Sequence, residues 1–220
     1  MTFLRKLRRN ISRHSKTFGS DTSGIAFLEF ALMLPVFLGF ILSATEMANY
    51  VLARQKVQKV SFMTSDIIAQ ATVKPNEQQI QDSFFSMNSA SQPFPLRQNG
   101  RVILTGIVGI IDNTSGDVEN KLVWQRCYGS RTGFNSSYGT ETTEDFGDRA
   151  SVTLPQGIVL PQGQMIIAAE VAYDYQPIVN VNYFNLIGAE KELVGTTTLR
   201  TRNKAFTSLT QVPGFTPMTC

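Results

Sequence analysis

The sequence predicts an α+β fold in which one long N-terminal helix packs on a mainly antiparallel sheet. An apolar run begins near residue 25, a helical apolar period follows it, and beyond residue 100 strand-like runs rich in β-branched residues take over. A chain of 220 residues accommodates one ordinary domain plus extensions. We predict a leader over 1–24, a transmembrane helix over 25–45, an amphipathic extension over 46–75 and an extracytoplasmic α+β domain over 76–220.

The apolar run from Ile25 to Thr45 has the composition of a membrane-spanning helix. Its only charged residue is Glu29. At about 1.5 Å per residue the run spans roughly 30 Å, the thickness of the hydrocarbon core of a bilayer. Pro35 removes one helical hydrogen bond and predicts a kink near Ala31. A carboxylate inside such a segment is costly and usually functional.

Positive charge is concentrated before this run. Residues 1–24 hold six basic residues against one acidic residue, whereas the rest of the chain holds 14 basic and 16 acidic residues. The basic residues are Arg5, Lys6, Arg8, Arg9, Arg13 and Lys16. A short basic block beside an apolar span predicts a cytoplasmic N terminus and a chain that is outside the cytoplasm beyond about Glu46. It does not indicate nucleic-acid binding.

The helix is predicted to continue beyond the membrane. Apolar residues recur at spacings of three, four or seven, with basic and amide side chains on the other faces. The apolar set is Met47, Tyr50, Val51, Val57, Val60, Ile67, Ile68 and Ala71. Pro75 closes the stretch, so we predict one helix from Ile25 to about Ala71. Two separate helices with a break near Glu46 are the alternative.

The first part of the domain is predicted to be a short helix and a hairpin. Asn76 to Met87 forms the helix, with Asn76 as its cap, and Asn88 to Gly100 is a linker. Arg101 to Ile111 and Val118 to Cys127 are strands joined by the turn Asp112 to Asp117.

The second part of the domain is predicted to begin with a long loop. Gly129 to Asp148 is rich in Gly, Ser and Thr, and Ala150 to Leu160 holds short extended pieces. Gln164 to Tyr175 is a strand, although its core could also be helical, and Leu193 to Arg202 is another strand.

The chain lacks the residues that most enzymes need. Its one histidine, His14, lies in the leader, which argues against Ser-His, Cys-His and His-ligated zinc chemistry in the domain. We therefore expect no enzyme, no cofactor and no metal site. Two carboxylate alternatives remain: an enzyme that uses acids alone, and calcium binding by the acidic loop residues. These loop residues are Glu141, Glu144, Asp145 and Asp148.

Two cysteines, Cys127 and Cys220, are available for a disulfide outside the cytoplasm. Cys127 follows a predicted strand and Cys220 ends a Pro-containing tail, so a bond between them would attach the tail to the sheet. A free buried Cys127 and an intermolecular bond through Cys220 are the alternatives.

The most informative motif is the junction between leader and span. The sequence from Gly24 to Pro35 reads GIAFLEFALMLP, with Glu29 at the fifth place after the glycine and Phe30 following it. This pattern resembles the N-terminal motif of TadE-like proteins, pseudopilins or minor pilins of tight-adherence (Flp-type) pilus systems. The segment from Ala169 to Pro177 also resembles a strand-to-Pro segment of that family.

The resemblance implies a function and a place in the cell. A prepilin peptidase would cut between Gly24 and Ile25, and Glu29 and Phe30 would belong to its processing site. The mature chain would be a single-pass protein of the bacterial inner membrane with a pilin-like fold. Its partners would be the lipid bilayer, the peptidase and other pilins of the assembly machinery, without nucleic acid or a small-molecule substrate. A domain of about 150 residues favours a minor role in assembly or initiation of the pilus.

Other interpretations of the same features stay open. A conventional signal peptide would be cut near Ser43 to Thr45. An uncleaved signal anchor would keep the leader and serve the secretion apparatus from the envelope. A binding module at a pilus tip would recognise a surface or a glycan, with Gly129 to Asp148 as its candidate site.

Overall fold

The computed structural model describes residues 23–178, 191–202 and 206–220. The chain divides into two compact units, Met1–Ala48 and Asn49–Cys220. Helix α1, Ser23–Ala69, is one uninterrupted helix that contains Pro35. The predicted alternative of two helices that break near Glu46 is therefore wrong. The predicted leader, residues 1–24, lies outside the described residues apart from its last two.

In the first unit, the described part of α1 exposes its large apolar side chains on every face. Phe27, Phe37 and Phe40 are 75%, 64% and 74% exposed. Polar hydroxyls here are satisfied inside the helix, since Ser43 donates to the carbonyl of Gly39 at 2.8 Å and Thr45 donates to that of Ile41 at 2.9 Å. Gly24–Ala69 qualifies by length and composition as one candidate membrane span near the N terminus.

In the second unit, helices α2 (Glu77–Ala90) and α3 (Leu96–Asn99) precede a four-stranded antiparallel sheet. Its strands are β1 (Gly100–Ile111), β2 (Val118–Tyr128), β3 (Met165–Asp174) and β4 (Glu192–Arg200), in the spatial order β2-β1-β3-β4. A one-turn 3₁₀ helix covers Pro155–Gly157. The predicted α+β class, the hairpin and the two later strands are confirmed, and the helical alternative for β3 is wrong.

Helix α2 begins where the sequence predicts. The side chain of Asn76 accepts from the main-chain N–H of Gln79 at 2.8 Å, and the Gln79 side chain accepts from the N–H of Asn76 at 3.0 Å. This reciprocal pair is a capping box. The helix ends at Ala90, three residues later than predicted, and α3 occupies part of the predicted linker.

The C-terminal part of α1 packs through a stripe that contains fewer large apolar side chains than predicted. Val57, Val60 and Ile68 are buried, but Val51 and Ile67 are 43% and 45% exposed. Small residues complete the packed stripe, namely Ala53, Ser61, Thr64 and Ser65. Small side chains let the helix approach β4 closely, and a periodicity count that scores only large apolar residues overlooks them.

Gly195 of β4 shows how close this approach is. A Cβ atom added there would lie 3.0 Å from Val57, and Ser61 and Thr197 share a hydrogen bond of 2.9 Å. Helix α1 ends at Ala69, before the predicted Ala71, where the Ala69 carbonyl accepts from the N–H of Arg202 at 3.1 Å. A chain segment that follows β4 therefore satisfies an orphan carbonyl of the helix end.

The core has one layer on each face of the sheet. One cluster joins buried residues of α1 and α2, such as Val57 and Phe84, to Val102 and Leu104 of β1. The smaller cluster lies on the other face and joins Ile107 to residues of the segment 138–160. Successive strand residues point to opposite faces, so β1 contributes to both layers.

The segment after the long loop is fixed to β2 by Asn120. Its amide donates to the carbonyls of Val152 and Ile158, and its oxygen accepts from the N–H of Leu160 at 2.8 Å. One buried amide therefore satisfies three main-chain groups of a segment that belongs to no sheet. Within the described residues, the second face of the sheet is thus covered by this segment and not by an α-helix.

Candidate functional site

The predicted processing site lies at the start of α1. Gly24 is helical, and a Cβ atom added there would meet no described atom within 4 Å. Ile25 and Phe30 are 55% and 63% exposed, and the Glu29 residue is exposed as well. Since Ile25 and Glu29 are four residues apart in one helix, they share a face one turn apart. The motif is therefore helical and accessible in the structure. Residues 1–22, which include His14, lie outside the described part.

The structure pairs the two cysteines as predicted. Cys127 and Cys220 form a disulfide with Cα atoms 5.0 Å apart. The N–H of Cys127 also donates to the carbonyl of Met218 at 2.8 Å, so the tail lies beside the end of β2. The alternatives of a free Cys127 and of an intermolecular bond through Cys220 do not hold in this structure.

Two of the four acidic loop residues, Glu141 and Asp148, have separate side-chain partners. Glu141 accepts from the guanidinium of Arg126 at 3.0 Å and from the N–H of Gln125 at 3.1 Å. Asp148 accepts from the amide of Asn113 at 2.8 Å. Across the described ranges no group of three or more His, Cys, Asp or Glu residues is placed to hold a metal ion.

A buried ion pair that the sequence did not predict joins helix α2 to the sheet. The guanidinium of Arg126 donates to both carboxylate oxygens of Glu77, at 2.6 and 3.0 Å. Glu77 is in the first turn of α2, where the helix dipole stabilises a negative charge. Arg126 faces α2 because it is paired with Leu104, whose side chain lies on the helix side of the sheet. The strand alternation around Trp124 was the signal that could have placed Arg126 on that side.

A second polar cluster closes the hairpin turn. The ammonium of Lys121 is buried and bonds to Asp112 at 2.5 Å, to Glu119 at 3.0 Å and to the carbonyl of Arg149 at 2.6 Å. Burial disfavours the charged form of Lys121, but the hydrogen bonds to the two carboxylates outweigh this and raise its pKa. The bond from Lys121, together with N–H groups of Thr114 and Ser115, holds the pKa of Asp112 well below its usual range.

The third cluster fixes the long loop to β3. The carboxylate of Glu170, only 2% exposed, accepts from the hydroxyls of Ser136 and Ser137 and from the N–H of Ser137 at 3.0 Å. Glu170 belongs to the second segment quoted for the family resemblance, and the structure gives it this loop-anchoring contact. The pairs Arg126–Glu77 and Glu170–Ser137 join residues 49 and 33 positions apart, so local patterns carried little signal for them. The Lys121 cluster is partly local, because Asp112 and Glu119 lie in the same hairpin.

Comparison with known protein families gives a match to most of α1. The family described as TadE-like protein matches residues 24–65, about a fifth of the chain. No curated protein and no solved structure matches the chain. The resemblance predicted from Gly24 to Pro35 is therefore confirmed, and residues 24–65 are a TadE-like segment. The segment from Ala169 to Pro177 lies outside the match.

Proposed function

We propose, from a chain whose residues 24–65 are TadE-like, that this protein is a minor pilin or pseudopilin that acts in assembly or initiation of a tight-adherence pilus. The observation that carries the proposal is that the family match covers most of a long helix whose N-terminal part is apolar and exposes its large side chains. A helix of this kind needs a bilayer or neighbouring apolar helices around it. The work is structural, and no substrate is turned over.

The proposal includes removal of the leader by a prepilin peptidase after Gly24. The structure supports a clean test, because an added Cβ atom meets no described atom within 4 Å at Gly24 or at Gly39 of the same helix. Gly24→Ala and Gly39→Ala are therefore matched substitutions that introduce no clash. Glycine at the cleavage position lets the main chain enter a narrow active site, so only the first variant should impair processing.

The experiment expresses both variants with the wild type in cells that hold the pilus machinery. We expect Gly24→Ala to accumulate as the unprocessed chain, longer by 24 residues, and pili to be lost, while Gly39→Ala is processed normally. N-terminal sequencing of the membrane-extracted wild type should begin at Ile25. If Gly24→Ala is processed and supports pili as the wild type does, the cleavage proposal fails and an uncleaved anchor takes its place.

Glu29 is proposed to act in assembly. Its residue is exposed, and no ion pair to it is present within the described ranges. In the family picture the carboxylate pairs with the new amine of Ile25 on a neighbouring subunit. This pairing would offset much of the membrane cost of a carboxylate, which is about 2–3 kcal/mol at mid-span and less near the interface. Glu29→Gln should insert and be processed but give fewer pili. Normal pilus numbers with this variant would show that Glu29 is not needed for assembly.

We also propose the topology: N terminus in the cytoplasm, single pass through the inner membrane, and the second unit outside. The six basic residues before the span support this orientation. Alkaline phosphatase, which is active only outside the cytoplasm, should be active when fused after Thr72. An active β-galactosidase fusion and an inactive phosphatase fusion at the same position would contradict the proposed topology.

A further inference from the structure

A cavity of about 330 Å³ lies over one end of the sheet, on the face opposite α1 and α2. Arg101 and Ile103 of β1 and Gln125 of β2 form its floor. These residues alternate with Val102 and Leu104, which face the helices. The long loop forms one wall and the tail, through Thr219 and Cys220, forms another. The volume is at the lower end of small-molecule sites, about 300–1,000 Å³, and suits a ligand of one or two rings.

Each wall of this cavity is held in place by its own contacts. The loop is fixed by the bonds from Ser136 and Ser137 to buried Glu170, and the tail is fixed by the disulfide of Cys127 and Cys220. The cavity is therefore formed before any ligand arrives. A preformed site loses less conformational entropy on binding than a mobile loop would.

Arg101 joins the floor to both walls. Its guanidinium is buried and donates to the carbonyl of Thr132 at 2.7 Å, to the sulfur of Cys127 at 3.4 Å and to the main-chain oxygen of Cys220 at 3.4 Å. One rigid, planar donor group thus contacts the loop, the strand and the tail. This arrangement fixes the shape of the cavity at its base.

The lining offers both hydrogen-bond donors and hydrogen-bond acceptors. Both hydrogen bonds that Glu141 accepts within the described part of the chain go to Oε2, which leaves Oε1 for a hydroxyl donor. Exposed Thr142 and Thr143 add hydroxyls that donate and accept, and Asn135 adds an amide. Half-buried Phe134 supplies the one aromatic surface of the lining.

We propose that this cavity binds a single sugar ring of a glycan. A sugar ring carries several hydroxyls, each a donor and an acceptor, around a surface of C–H groups. It therefore matches a site that combines a carboxylate, an amide and hydroxyls with one aromatic wall. This proposal does not rest on the proposed role in pilus assembly, since it concerns only the sheet, the loop and the tail of the second unit.

The test uses the full chain, purified in a phosphocholine detergent that has no sugar headgroup. Saturation-transfer difference NMR is recorded with glucose, galactose, mannose and N-acetylglucosamine, each at millimolar concentration. We expect transfer to the ring protons of at least one of these sugars. Phe134→Ala should reduce the signal at least fivefold by removing the aromatic wall.

The matched pair for this test is Thr143→Trp and Thr114→Trp. Both threonines are exposed, but only Thr143 lines the cavity, whereas Thr114 is in the hairpin turn. Thr143→Trp should fill the mouth and abolish the transfer, and Thr114→Trp should leave it unchanged. The proposal is overturned if none of the four sugars receives saturation, or if Thr143→Trp binds them as the wild type does.

Discussion

The two units of the molecule differ in where their aromatic side chains lie. In residues 23–48, Phe37 is 64% exposed, whereas in residues 49–220 Phe84 is fully buried and stacks on Tyr128 with ring centroids 5.5 Å apart. The second unit also holds a disulfide and a buried ion pair. The second unit therefore carries its own stabilising contacts, whereas the exposed apolar side chains of the first have the composition of a helix that a bilayer or other apolar helices surround.

One spectroscopic probe separates the two units. Trp124 is the single tryptophan of the sequence, lies in β2 and is 1% exposed. It fits because its neighbour on β1 is Gly106, where a Cβ atom would lie 2.5 Å from the indole. Tryptophan fluorescence of the full chain in detergent therefore follows unfolding of the second unit alone.

Loss of the disulfide should change the stability of the second unit most and leave the first unit unchanged. Cys127→Ser opens a loop whose ends are 93 residues apart and should lower the free energy of unfolding of the second unit by about 4–5 kcal/mol in the chain-entropy model. Cys220→Ser should match it, because either change opens the same loop. Membrane integration of both variants should equal that of the wild type.

The measurement is a denaturant titration followed by tryptophan fluorescence, with thiol labelling of the released cysteine. Cys220 should react with a maleimide in Cys127→Ser and stay unreactive in the unreduced wild type. Two reactive thiols in unreduced wild-type protein would show that the bond does not form.

A slightly smaller effect is expected from a matched pair of phenylalanines. Phe84→Ala should cost the second unit roughly 3–5 kcal/mol, since it leaves a cavity beside Tyr128. Phe37→Ala should change the same free energy by less than about 0.5 kcal/mol, because its side chain is exposed in the first unit. Equal losses in the two variants would contradict the division into two differently stabilised regions.

The smallest expected effect is a pH dependence at the hairpin turn. The pKa of Asp112 is lowered on folding, chiefly by the hydrogen bond from Lys121. A carboxyl with a depressed folded pKa contributes stability that is complete above its unfolded pKa, about 3.9, and is lost as the pH falls below it. Asp112→Asn should therefore flatten the loss of thermal stability below about pH 4.

The control for this prediction is Asp117→Asn, at an exposed position of the same turn. Its melting temperature between pH 2 and pH 5 should follow the wild-type curve. Glu119, whose pKa is lowered by bonds from Ser151 and Lys121, should retain part of the acid sensitivity in both variants. An Asp112→Asn curve parallel to the wild-type curve would show that this carboxylate does not link folding to pH.

The local elements and the N-terminal motif follow from the sequence alone. Continuous apolarity and helical period gave α1, a capping residue gave the start of α2, and alternation around a turn gave the hairpin. Each of these is a property of residues close along the chain, so a single sequence contains it. The resemblance at Gly24 and Glu29 is local for the same reason.

Which polar residues are buried, and which groups they bond to, depends on how distant segments pack in the folded chain. Arg126 meets Glu77 across 49 positions, and Glu170 meets Ser137 across 33, so no local period predicts either contact. The small buried side chains on α1, such as Ser61 with its hydrogen bond to Thr197 of β4, were missed because burial there follows from close packing and not from hydrophobicity. The cavity beside the disulfide is of the same kind, since its floor and its two walls come from segments that only the folded chain brings together.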